Sequence, residues 1–388
     1  MNRRDLMNFL AAGIAIPLAP LSLSAASIKS GKRLILVELS GANDGLNTVI
    51  PIKDERYFDL RPRIKINESK AFNIGSGLAL NSAMKSLDSA FQAGDLAIMQ
   101  GLGYPGQNRS HFKSIALWET GGDGTKSGKN GWLTEDIEKM VGNDQLDAHG
   151  ISLDGGMGIF ASPSGVWLSM TSLGQFSTLQ NKLTMPNQKL TDNPALSFVL
   201  DRGQALNSSM QSISSKISRV RNKNLNINAG DFGKQASMAA YLIDSGITAP
   251  VLKLKIGSFD THENQTWRHR RLLQDLGNGL SGLRRALKQS GHWENTLIMT
   301  YSEFGRRAKE NESGGTDHGT AAPHFLMSGS LEGGIWGIHP DLSDLKDGDV
   351  QFTTDYRVVY DKILSDWFGL EQNRFKNYRS KMTNGLFT

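Results

Sequence analysis

Residues 33–39, 96–99, 251–256, 296–301 and 324–327 are short apolar runs, most of them ending in Gly, Ser, Asp or Asn. A nearly continuous apolar strand has no face left for water, so such runs belong to a parallel sheet covered on both sides. Between them lie segments of helical period. Residues 83–91 set Met84, Leu87 and Phe91 on one face. Residues 268–287 repeat Leu272, Leu276, Leu280, Leu283 and Leu287 at three- or four-residue spacing, and 356–368 carries Val359, Ile363 and Trp367 in a ladder of fours. Strands alternating with helices predict an α/β fold, a three-layer αβα sandwich around a mostly parallel central sheet. Residues 150–231 break the pattern. They are rich in Ser, Asn, Gln and Met with one polar helical stretch near 200–220, and are expected to form an insertion or cap beside the sheet.

The first 26 residues stand apart from this plan. Arg3-Arg4 is followed by a mostly apolar stretch to Leu23 and then by Ser24-Ala25-Ala26. A basic start, a short apolar run and small residues before a cleavage point read as a secretory leader, and the paired arginines as one of the twin-arginine type. Pro17 and Pro20 interrupt the apolar run, which falls short of the roughly 20 residues of a membrane span. The expected organisation is therefore a leader over 1–26 and a single domain over 27–388, exported by the twin-arginine machinery to a periplasmic or secreted location, with no permanent membrane span. The chain has no cysteine. This excludes disulfides, thiolate-bound zinc, iron–sulfur clusters and thiol catalysis, and leaves hydroxyls as nucleophiles. A formal charge of +5 with no block of five Lys or Arg gives no footing for a nucleic-acid partner.

In an open α/β sheet, chemistry sits at the carboxyl ends of the strands. Four strand ends here are dense in Asp, Glu, His and Gly. The first, Ser40-Gly41-Ala42-Asn43-Asp44-Gly45, puts Asp44 on a tight turn, which also suits turn geometry alone. The second, Gln107-Asn108-Arg109-Ser110-His111-Phe112, precedes a helical segment. Ser110 thus lies near a helix N-terminus, where exposed N–H groups bind anions, although an N-cap Ser or Asn needs no further purpose. Arg109 and His111 add cationic groups beside it. The third, Phe259-Asp260-Thr261-His262-Glu263, offers a carboxylate and an imidazole together. The fourth, Tyr301-Ser302-Glu303-Phe304-Gly305-Arg306-Arg307, is soon followed by Gly315-Thr316-Asp317-His318-Gly319. Asp44, Asp260, His262, Glu303, Asp317 and His318 together supply mixed nitrogen and oxygen ligands for one divalent metal or two, with Zn or Mn favoured over Ca.

These motifs resemble those of the domain of unknown function 1501 family of exported bacterial proteins. The matching stretches are 36–47, 107–112, 259–265, 301–307 and 314–323, and the twin-arginine start agrees. That family in turn resembles the alkaline phosphatase and sulfatase superfamily, which implies an alkaline-phosphatase-like fold. By this resemblance Asp44 matches the strand-end Asp and Ser110 the nucleophile at a helix start. Asp260 with His262 matches the Asp…His pair, and His318, followed by Thr320 and Pro323, the late His. Glu303-Phe304 departs from the superfamily's Asp-His, so one of two metal positions is weakened. Ser110 also lacks the context in which sulfatases form formylglycine.

The resemblance implies a metal-dependent hydrolase or transferase acting on a phosphate or sulfate ester of a small molecule or glycan. Asp260, His262 and His318 would hold one metal, and Asp44 with Glu303 a second position. Ser110 would attack, Arg109 would clamp an ester oxygen, and His111 would donate a proton. The alternative is a non-catalytic exported protein that binds an envelope partner or glycan through a degenerate metal site.

Overall fold

The structure is a computed structural model that describes residues 31–122, 126–140, 146–182, 193–219, 225–370, 374–378 and 385–387. The expected leader, residues 1–26, lies outside the described residues. Nine strands form one sheet: β1 (Arg33–Leu39), β2 (Leu96–Gly103), β3 (Gly150–Ser152), β4 (Trp167–Ser169), β5 (Val251–Ile256), β6 (Thr296–Tyr301), β7 (Ala322–Met327), β8 (Gly334–Trp336) and β9 (Thr354–Asp355). Their order is β8-β2-β7-β6-β1-β5-β3-β4, with β9 also pairing β2. β1 lies between β5 and β6 in parallel register, Leu36 facing Lys253 on one side and Met299 on the other. β7 alone runs antiparallel, against both β2 and β6. The sheet is thus mostly parallel, as the apolar runs imply.

The central strand shows why both faces must be covered. Successive side chains of a strand point to opposite sides. Ile35, Val37 and Leu39 join one buried cluster, whereas Leu34 and Leu36 join another. The principal helices are α1 (His111–Thr120), α2 (Pro194–Arg219), α3 (Gly230–Asp244), α4 (Gln265–Gln289) and α5 (Tyr356–Lys362). The first cluster takes Phe232 and Ala236 from α3 and Leu273, Leu276, Leu280, Leu283 and Leu287 from α4. The second takes Leu117 and Trp118 from α1 and Tyr356, Val359 and Tyr360 from α5. Three layers result, helices over sheet over helices. α3 and α4 approach so closely that a Cβ on Gly279 would collide with the Phe232 ring.

Local departures from the expected elements have physical reasons. Residues 83–91 form a 3-10 turn over Ser82–Leu87 and then a short helix over Asp88–Gln92, with a kink at Met84. The ladder of fours after α5 continues through a π turn over Ile363–Trp367, and Ile363 and Trp367 are buried. Within residues 150–231, β3 and β4 extend the central sheet beyond β5, and α2 lends Met210 and Ile213 to the first cluster. Among the described residues no helix is long and apolar enough to cross a membrane.

One charged group is sealed inside the second face. Lys253 on β5 is 1% exposed and pairs with Glu38 of β1 at 2.8 Å and Asp154 at 2.7 Å. Nearby, burial pushes the Glu119 carboxyl on α1 up to about 7 despite the attraction of Lys253, with Glu38 and Asp154 adding to the rise. The folded chain therefore retains a proton at Glu119 that the unfolded chain releases above about 4.5, so stability falls as pH rises from there towards 7. Glu119→Gln removes that cost. In urea unfolding the substitution is expected to stabilise the protein by roughly 1–3 kcal/mol at pH 8 and by much less at pH 4.

Candidate metal centre

The loops that follow β1, β2, β5 and β6 and the segment 311–320 meet at the carboxyl end of the sheet. Gly41, at φ +106°, ends β1's turn, and a Cβ there would strike the backbone of Asp260, so the β1 and β5 loops touch only because this residue is glycine. Ala42, Ser258 and Asn264 in these loops also hold positive φ angles of 67°, 73° and 49°. Such conformations persist where surrounding contacts over-determine them.

The contacts gather three imidazoles and a carboxylate. The Nε2 atoms of His111 and His318 are 3.0 Å apart, and those of His262 and His318 2.9 Å. An Asp260 oxygen lies 3.0 Å from His262 Nε2 and 3.3 Å from His318 Nε2, and its other oxygen 3.6 Å from His111 Nε2. His111, Asp260 and His318 present ligand atoms all within 4.8 Å of one another, the spacing of a group able to hold a metal ion.

What lies behind each ring fixes which nitrogen faces inward. His111 Nδ1 is 2.6 Å from a Glu303 oxygen, His262 Nδ1 is 3.1 Å from Asp317, and His318 Nδ1 is 2.9 Å from the Arg109 carbonyl. All three partners are acceptors, so each Nδ1 carries the hydrogen and each neutral Nε2 turns a lone pair inward. Two lone-pair contacts near 3 Å repel unless a cation stands between them. A divalent ion among the donors would relieve both contacts at once. The donor set fits such an ion.

The electrostatics agree with this division. The hydrogen bond to Glu303 raises the pKa of His111, whereas burial lowers that of His318. Burial alone would raise the Glu303 carboxyl, but His111 and the Gly41 N–H hold it below the ordinary range. The Phe304 ring stands 4.9 Å from both His111 and His318 and walls one side.

A buried guanidinium completes the centre. Arg306 donates to the carbonyls of Ala42, Gly41, Phe259 and Thr316, and its Nη2 reaches Asp260 at 2.5 Å. Burial would raise the Asp260 carboxyl, yet Arg306 keeps it ionised.

The other residues singled out in the sequence fall into place around this group. Glu303 and Asp317 stand behind His111 and His262 rather than among the gathered ligand atoms. Asp44 is fully buried below, 2.6 Å from Arg61 Nη1 and 2.5 Å from Gln265 Nε2. Burial raises its carboxyl but Arg61 outweighs that and keeps it charged. Gln265 in turn accepts hydrogen bonds from Thr261 and Thr316, which ties Asp44 to the loops carrying the histidines. Ser110 is exposed at the N-cap of α1, where its hydroxyl caps no backbone N–H. The guanidinium of Arg109 is paired with Asp349. Reading the sequence missed Arg306, Arg61, Gln265 and Asn311, whose side chain holds the His262 carbonyl and Asp317. The Arg306-Arg307 pair in the β6 loop was the one visible signal, and nothing in it marked the first as buried.

A mostly parallel three-layer α/β fold with a histidine–carboxylate centre at its strand ends is the class these features define. The chain belongs to the family described as "Protein of unknown function (DUF1501)", which it matches over residues 31–374. Among solved structures it is similar to Ps i-CgsB in complex with k-i-k-neocarrahexaose, at 13% identity and a TM-score of 0.39, covering 91% of this chain and 75% of that one. It is similar to the lipoteichoic acid synthase LtaP from Listeria monocytogenes, at 10% identity and a TM-score of 0.37, covering 94% and 81%. A protein in the alkaline phosphatase superfamily from Vibrio parahaemolyticus gives 10% identity and a TM-score of 0.36, over 86% and 71%. These are likenesses of outline at very low identity. No curated protein matches the chain.

Glu303→Gln tests the support behind the centre, since it keeps the shape but weakens the acceptor that holds His111. Affinity for added zinc or manganese, measured by competition with a chromogenic chelator, is expected to fall about 10–100-fold while the far-UV circular dichroism stays unchanged.

Proposed function

We propose that this protein is an exported, metal-dependent hydrolase or transferase of phosphate or sulfate esters that uses Ser110 as its nucleophile. The observation that carries the reading is the juxtaposition at the start of α1. Ser110 stands between Arg109, whose carbonyl holds His318, and His111, whose Nε2 joins the gathered ligands. His111, Asp260 and His318, with His262 beside them, would hold the ion, and their nitrogen and oxygen donors favour Zn or Mn. When bound, the ion supplies Lewis-acid charge to an ester oxygen. The residues of the chain supply the remainder. The first backbone N–H groups of α1 face the non-bridging oxygens of the ester, where the helix terminus favours negative charge. Attack by the Ser110 oxygen forms the new bond to phosphorus or sulfur as the ester bond breaks. The hydroxyl proton passes to a base, and the leaving alcohol takes one up. The leader over 1–26 would deliver the protein through the twin-arginine machinery to a periplasmic or secreted location.

A second reading, an exported binding protein with a degenerate site, draws on two contacts. Arg109 is engaged by Asp349 instead of standing free, and Asp44 by Arg61. The test is a panel of aryl phosphate mono- and diesters and aryl sulfates, assayed with and without zinc or manganese. Turnover that is lost with chelation and falls by about 100-fold or more in Ser110→Ala is the expected result. A protein loaded with metal that turns over none of these esters would establish the binding reading instead.

A further inference from the structure

Two arginines beside the metal centre converge on one buried carboxylate. Arg109, next to Ser110, pairs with Asp349 through its Nη2, and Arg307 Nε forms an ion pair with the other oxygen of that carboxylate at 3.9 Å. Both arginines are tied to the centre through their backbones. The Arg109 carbonyl holds His318, and the Arg307 N–H donates to the carbonyl of Asp317 at 3.0 Å. Asp349 comes from outside the strand-end loops. It stands on a two-stranded hairpin, Leu345–Lys346 against Asp349–Val350, whose turn residues Asp347 and Gly348 hold φ angles of 54° and 81°. Positive φ at both positions is the geometry of a tight two-residue turn, which keeps such a hairpin in one piece. The hairpin docks on the late segment, where Thr320 Oγ1 donates to the Val350 carbonyl.

The pairing is ill matched in two ways. The Asp349 side chain is 3% exposed, whereas those of Arg109 and Arg307 are 37% and 38% exposed. A carboxylate has left water to meet two cations that water still screens, a weak exchange. Burial accordingly raises the Asp349 carboxyl, although both guanidiniums pull it down. The shapes also disagree. A carboxylate has two oxygens in one plane, and here one serves Arg109 while the other lies beyond hydrogen-bond reach of Arg307. A phosphate or sulfate group spreads its charge over several oxygens of a tetrahedron, so that two guanidiniums can each take their own. Space for it adjoins Arg109, in a cavity of about 490 Å³ that Lys346, Asp347 and Asp349 also line. With Asp349 in place the two positive and two negative side chains of that lining cancel. With Asp349 turned away the balance is positive.

We infer that Arg109 and Arg307 form an oxyanion site for a phosphate or sulfate group, and that Asp349 is its built-in occupant, displaced when the anion arrives. Resting on the ester-hydrolase reading, this gives Arg307 a share in gripping the ester and makes the hairpin an autoinhibitory strap.

Inorganic sulfate and phosphate carry no ester bond to break, so their binding is independent of turnover. Isothermal titration of the full chain is expected to show at least one of them binding about tenfold tighter or more in Asp349→Asn than in the unchanged protein, with the gain lost when Arg307→Gln is added. Asp347→Asn removes the same charge from the same hairpin and is expected to change the affinity by less than about twofold. In the unchanged protein the anion, at about 100 mM, is expected to speed amide hydrogen exchange over residues 345–350 as Asp349 lets go. Asp349→Asn that binds neither anion more tightly, an equal gain in Asp347→Asn, a gain that survives Arg307→Gln, or exchange that neither anion speeds would each overturn the inference. Aryl-ester turnover without these changes removes the built-in occupant and leaves the hydrolase standing. Tightened anion binding without turnover of any ester upholds the oxyanion site and removes the hydrolase.

Discussion

The arrangement at the strand ends depends on one buried guanidinium. The Arg306 side chain is sealed from solvent and donates to the carbonyls of Gly41 and Ala42 after β1, Phe259 after β5, Thr316 in the late segment, and the Asp260 carboxylate. Three separate chain segments are thereby fastened to one planar group, whose rigid fork sets their mutual spacing. A lysine has one strongly hydrated point of charge and cannot span the same partners. Without the guanidinium, several buried carbonyls and an ionised Asp260 would lose their partner together, at a cost of several kcal/mol. The placing of His262 and His318 follows from this, since both are carried by segments that Arg306 clamps.

A second layer beneath repeats the device. Arg61, fully buried, pairs with Asp44 and donates to the carbonyls of Arg307 and Ala308, while Gln265 links Asp44 to Thr261 and Thr316. His269 lies next to it, its ring 2.8 Å from Asn43 and its pKa lowered to about 4 by burial, so that it stays neutral. Two cations, Arg306 and Arg61, thus each hold a carboxylate and a set of loop carbonyls. The surface layer leaves its imidazoles facing one another, and the deeper layer is closed.

How much of this can be read from the sequence depends on the range of the interaction concerned. Strands β1, β5 and β6 are legible because burial on both faces leaves an unbroken apolar run, and α4 because its leucines keep helical spacing over many turns. The direction of β7 is not legible, since an apolar run looks the same in either sense. β3 and β4 have three residues each, too few for a period to show within a polar segment. At the site, the strand-end loops announce themselves by clustered Asp, His and Gly. The meeting of His111 with His318, by contrast, is set by the packing of α1 on the sheet. The burial of Arg306 and Arg61 comes from carbonyls contributed by distant loops, which no local pattern encodes.

The central claim is that the inward-facing nitrogens at the strand ends are held together by a metal ion. Elemental analysis of the purified full chain, combined with X-ray absorption at the edge of whichever metal is found, addresses it directly. The account predicts about one equivalent of a divalent transition metal per chain, ligated by imidazole nitrogen together with carboxylate oxygen. A chain that is isolated free of metal and takes up neither zinc nor manganese would contradict it, and so would a bound metal whose ligands include no imidazole.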